Sequence, residues 1–138
     1  MNITRPAWQL EFSVHVRELD EQHKRFFSLL AGLHDALAGE HRGGVAAADT
    51  ISALREYAIL HFSTEEKLMA KHHYPDFDEQ KKEHDAFFDT LSEFGKMRSD
   101  EERTLEHRIL EFMRGWLITH ILNVDKKYMS FFNSNGVF

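Results

Sequence analysis

His61-Phe62-Ser63-Thr64-Glu65, running on into Glu66-Lys67-Leu68-Met69, decides how this chain folds. Read as a helix, the stretch sets His61 and Glu65 one turn apart on a single face. Ile51, Leu54, Ala58, Phe62 and Met69 share that broad face at three- and four-residue steps, the signature of a buried stripe. The imidazole and the carboxylate are therefore carried inward with the apolar residues. A buried carboxylate without a partner is costly, so the same spacing that predicts the helix also predicts something cationic beside Glu65.

Working outward, comparable pairs stand on either side. Gln80 and His84 are four apart in Gln80-Lys-Lys-Glu-His84, and His120 and Asp125 are five apart in His120-Ile-Leu-Asn-Val-Asp125. The five-residue step is a looser fit to a helix, although a bridging carboxylate can sit about one turn beyond an imidazole. His23 falls on the stripe formed by Phe26, Phe27, Leu30, Leu33 and Leu37. The remaining stripes are Phe87, Phe88, Leu91 and Phe94 around His84, and Leu105, Ile109, Phe112, Met113, Trp116, Leu117 and Val124 around His120. Each stripe predicts one helix, at about 19–42, 45–72, 78–97 and 101–131, with Asp20 as the first N-cap. Gly43-Gly44, Tyr74-Pro75 and Ser99-Asp100 separate them.

Four helices with short connections imply an all-α, up-down-up-down four-helix bundle in one domain spanning 1–138. Residues 1–18, with Pro6 and the apolar Trp8, Leu10, Phe12, Val14 and Val16, read as a docked arm, and the final Asn-Ser-Asn-Gly-Val-Phe as a frayed tail.

The bulk composition narrows the chemistry. There is no cysteine among 138 residues, so any metal is held by nitrogen and oxygen, which suits iron, manganese or zinc. A net charge of −6 argues against nucleic acid. No stretch approaches the roughly 18 apolar residues of a membrane span, and the first residues lack a signal-peptide core, so the cytoplasm is the default setting. Ferritin-like diiron bundles use Glu-x-x-His on two helices, and that motif does not occur here.

His23 within FSVHVRELDEQHKRFF, then HFSTEEKLM, YPDFDEQKKEHDAFF and WLITHILNVDKKY, together resemble the hemerythrin family, particularly its single-domain bacterial members. The resemblance covers nearly the whole chain. It implies a pair of irons bridged by an oxo or hydroxo group, and oxygen binding at an open position on one iron. Carried over, His23 and His61 would bind one iron and His84 and His120 the other, with Glu65 and Asp125 bridging. Phe62, Trp116, Leu117 and Ile121 would line the oxygen pocket. The family's fifth histidine falls on Gln80, whose amide either ligates weakly through oxygen or leaves the position to water. Dioxygen or peroxide is the expected ligand, and an oxygen-using enzyme or redox partner the expected recipient. Storage, delivery and sensing of oxygen fit this site. Peroxidase- or oxidase-like activity promoted by the opening at Gln80, and iron storage or buffering, are the competing readings. His15 and His73 are the nearest candidates for a substitute ligand, and both read more readily as structural or exposed. Tyr128 either donates a hydrogen bond near the site or caps a helix end. His41, His72 and His107 read as solvated, His34 as too far along its helix, and Glu21, Lys24, Arg25, Lys81, Lys82 and Glu83 as a solvated face.

Overall fold

A computed structural model describes residues 6–38, 47–97 and 102–138. Helices α1 (Arg17–Ala38), α2 (Ala47–Lys71), α3 (Phe77–Gly95) and α4 (Glu102–Trp116) form an all-α four-helix bundle, and no strand occurs among the described residues. Helix α1 packs on α2 and α4, and α2 on α3. The expected ends at Gly43-Gly44 and Ser99-Asp100, and His41, lie outside the described residues.

The apolar stripes meet as read from the sequence. Phe26, Leu30, Leu33, Leu54, Ala58, Phe62, Phe87, Leu91, Ile109, Met113 and Trp116 belong to one buried cluster. Fully burying a side chain of this kind stabilises a fold by about 1.5–3 kcal/mol. A smaller cluster lies at the other end, made of Val14, Val16, Leu19, Met69, Tyr74, Tyr128 and Phe132. Between them runs a polar layer: His23, His61, Glu65, Gln80, His84, His120 and Asp125 are all buried.

Several local features differ from the sequence reading. Asp20 is not an N-cap, because α1 already starts at Arg17. Its carboxylate instead holds the arm, accepting from the Ser13 hydroxyl at 2.5 Å and the Val14 amide at 2.8 Å. The arm docks through Val14 and Val16, but Leu10, in a short 3-10 turn over Leu10–Phe12, is exposed. The end of α2 is closed by Tyr74 N–H donating to Met69 O and His73 N–H to Ala70 O, a Schellman motif with His73 at φ 58°.

The fourth helix is not uniform. Past Trp116 the backbone widens into a π-helix over Leu117–Val124, tightens into a 3-10 turn over Asp125–Tyr128, and ends as α5 (Met129–Ser134). The tail is folded back rather than frayed: Asn133 Nδ2 donates to His15 O and to Val137 O, and Val137 packs on the smaller cluster.

Candidate metal centre

Each helix delivers its polar residues to the layer by its own geometry. On α2, the four-residue step places His61 Nε2 3.3 Å from Glu65 Oε1. His84 of α3 approaches the same oxygen, with Nε2 at 3.2 Å. On the fourth helix the π segment resolves the awkward five-residue step. A π turn closes i to i+5, and the Asp125 amide donates to the His120 carbonyl. His120 Nε2 thereby lies 3.0 Å from Asp125 Oδ1, while the other oxygen, Oδ2, faces His23 Nε2 at 3.2 Å.

The donor atoms fall into two groups. His23, His61, Glu65 and Asp125 form one, and Glu65, His84 and His120 the other, each group with ligand atoms within 4.8 Å of one another. Glu65 belongs to both. Asp125 faces His23 with one oxygen and His120 with the other, so it too spans the two halves.

The tautomers are fixed from outside the layer. Gln22 Oε1 accepts from His61 Nδ1 at 2.7 Å, Glu66 Oε2 from His84 Nδ1 at 2.7 Å, and Glu83 Oε1 from His120 Nδ1 at 3.2 Å. With Nδ1 as the donor, each Nε2 turns a lone pair inward. Nε2 of His61, His84 and His120 and Oε1 of Glu65 are buried without a hydrogen-bond partner. Acceptors that face one another in a dry interior repel unless a cation lies between them. These residues therefore fit a pair of metal ions.

Where no cation lies between these groups, a proton takes its place. Burial would push the His120 imidazole down, but the Asp125 carboxylate, 3.0 Å from its Nε2, with help from Glu65 and Glu83, raises it to about 9. Burial would raise Glu65, yet the imidazoles of His61 and His84 hold it well below the usual carboxylate range. Tyr128 donates its hydroxyl to Glu65 Oε2 at 2.7 Å, and burial next to Asp125 and Glu65 pushes that phenol well above its ordinary value.

Gln80 is buried in the same layer, and its Nε2 donates to Asp125 Oδ1 at 3.2 Å. Its carbonyl oxygen has no hydrogen-bond partner. His15 and His73 do not enter the layer; both are exposed and have positive φ. Phe62 stacks on His84 at 3.9 Å and Trp116 on His120 at 4.0 Å. Ile121 is buried and Leu117 half-buried in the surrounding apolar cluster. His72 is half-buried rather than solvated, with its ring edge to Phe132. The sequence reading left Gln22 and Glu66 without a role, and it put Glu83 on the solvated face, whereas Glu83 is half-buried against His120.

The Hemerythrin HHE cation binding domain matches residues 14–132 of the chain. This chain belongs to the hemerythrin family. A bacteriohemerythrin of Methylococcus capsulatus is 35% identical over 118 residues, covering 86% of this chain and 88% of that one. A hemerythrin-like protein of Naegleria gruberi is 32% identical over 122 residues, covering 88% of each. The crystal structure of a wild-type hemerythrin superposes with a TM-score of 0.67 at 31% identity, covering 94% of this chain and 95% of that one. As a hemerythrin, the chain is a non-haem diiron oxygen-binding protein. No helix among the described residues is long and apolar enough to cross a membrane.

Proposed function

We propose that His23 and His61 hold one iron and His84 and His120 the other, that Glu65 and Asp125 bridge them, and that the protein uses this pair to store, deliver or sense dioxygen. The observation that carries the reading is the set of mutually facing acceptors, divided into two groups that share Glu65. When bound, the ferrous pair supplies the electrons that dioxygen draws on. The chain's own groups supply the rest. Phe62 and Trp116 exclude water from the imidazoles they cover, and Leu117 and Ile121 belong to the same apolar cluster. Tyr128 donates its O–H to Glu65 Oε2, which fixes that carboxylate, and Gln80 donates its amide N–H to Asp125 to the same effect. In this reading the Gln80 amide N–H serves Asp125, and its unpartnered carbonyl oxygen is a weak neutral donor where a stronger ligand would stand. The setting is the cytoplasm, with an oxygen-using enzyme or a redox partner as recipient.

The test is iron quantification and a visible spectrum of protein purified in air, followed by anaerobic reduction and oxygen titration. Two irons per chain, charge-transfer bands in the near ultraviolet, and a spectral change that reverses under argon are expected. Protein that takes up no iron, or iron that never responds to oxygen, would overturn the reading.

A further inference from the structure

The four imidazoles are supported unequally from outside. His84 and His120 each donate Nδ1–H to a carboxylate, Glu66 and Glu83. His61 donates to the neutral amide oxygen of Gln22, and the buried Nδ1 of His23 has no hydrogen-bond partner. An imidazole that donates to a carboxylate is a stronger base at its other nitrogen, and so a stronger metal donor. Both carboxylates thus stand behind the same half of the layer.

That half is also the one short of a donor. Gln80 lies one helical turn before His84, where the expected ligand would stand. Its Nε2 hydrogen bond goes to Asp125 Oδ1, the oxygen that also faces His120, and draws charge from that oxygen. The inner deficit and the outer surplus coincide.

We infer that Glu66 and Glu83 are positioning residues that make up, at the metal position of His84 and His120, for the donor strength that Gln80 does not supply. This rests on the diiron reading above. Glu66 is 23% exposed and Glu83 34%, so neither carboxylate is fully screened by water. Glu66 also has Lys81 Nζ at 3.8 Å, which ties its outer oxygen while the inner one faces His84.

The experiment is anaerobic titration of metal-free protein with ferrous iron, in competition with a colorimetric chelator. It compares the wild type, the isosteric E66Q/E83Q variant, and that variant with Gln80→His added. Far-ultraviolet circular dichroism checks that each metal-free protein is folded. The wild type binds two irons. E66Q/E83Q keeps one and loses affinity for the other by about 10- to 100-fold. Adding Gln80→His restores the second, an outcome that a merely structural role for the glutamates would not produce. If the double variant does not fold, E66Q and E83Q singly carry the same test. Two irons held with unchanged affinity by E66Q/E83Q, equal loss of both, or no rescue by Gln80→His would each overturn the inference and leave the diiron reading standing. A wild type that binds no iron would overturn both.

Discussion

At the scale of single residues, the polar layer contains two different kinds of information. His23, His61, Glu65, His84 and His120 were legible in the sequence because each lies on an apolar stripe, where a charged or imidazole side chain calls for a partner, and Asp125 was legible as a looser fit beyond His120 and from the resemblance of its motif. Gln22, Glu66 and Glu83 were not. Each adjoins a ligand in sequence, and one position around a helix is about 100°, so each stands at the edge of its stripe and meets a neighbouring helix. A polar residue there has the same pattern as one in solvent, and only the packed neighbour distinguishes them. The available signal was adjacency: Gln22 precedes His23, Glu66 follows Glu65 and Glu83 precedes His84. Two expectations belong to this scale. Tyr128→Phe removes the one hydroxyl that satisfies Glu65 Oε2 and leaves a buried carboxylate oxygen bare. The metal-free variant should lose about 1–3 kcal/mol, read from the urea midpoint at unchanged slope. Gln80→His should lengthen the life of the oxygen-loaded protein several-fold in stopped-flow decay, since it fills the position that water or anions otherwise reach; faster or unchanged decay would count against that role.

At the scale of elements, four helices, their order and most of their inward faces followed from periodicity, and the exceptions have local causes. The fourth segment read as one helix because its apolar positions continue past Trp116, and side-chain spacing alone does not reveal a change of backbone hydrogen bonding. The clue was the five-residue step from His120 to Asp125, which an α-helix serves poorly and a π turn serves directly. The wide turn absorbs one extra residue, so Tyr128 and Phe132 beyond it still face inward. The docked tail was missed because its fastening, Asn133 on the His15 carbonyl, joins opposite ends of the chain. The end of α2 offers a prediction. His73 takes the left-handed conformation that the Schellman motif requires, with its side chain exposed, and a Cβ there is strained. His73→Gly should therefore raise stability by about 1 kcal/mol without changing iron content, as measured by thermal melting and metal analysis.

At the scale of the whole molecule, the layer sets the balance between the metal-free and metal-loaded states. Two carboxylates and four imidazoles sit between apolar clusters with several acceptors unsatisfied, so the metal-free protein retains a cost that cations relieve. Iron at about 100 times its dissociation constant should add about 2.7 kcal/mol to stability for each site filled. Calorimetry with and without ferrous iron should show the melting temperature rising, and Asp125→Asn should abolish the rise while leaving the metal-free melt cooperative. The same layer also acts as a gauge of alignment. Two apolar helix faces tolerate sliding past each other, because leucine against phenylalanine is acceptable at many offsets. Here all four helices carry a polar residue at one height. Sliding any one by a single turn, about 5.4 Å, would push an imidazole or a carboxylate into hydrocarbon and set a phenyl ring among charges. The layer therefore selects one vertical setting of the bundle out of the many that the apolar stripes alone would permit, before any ion has bound.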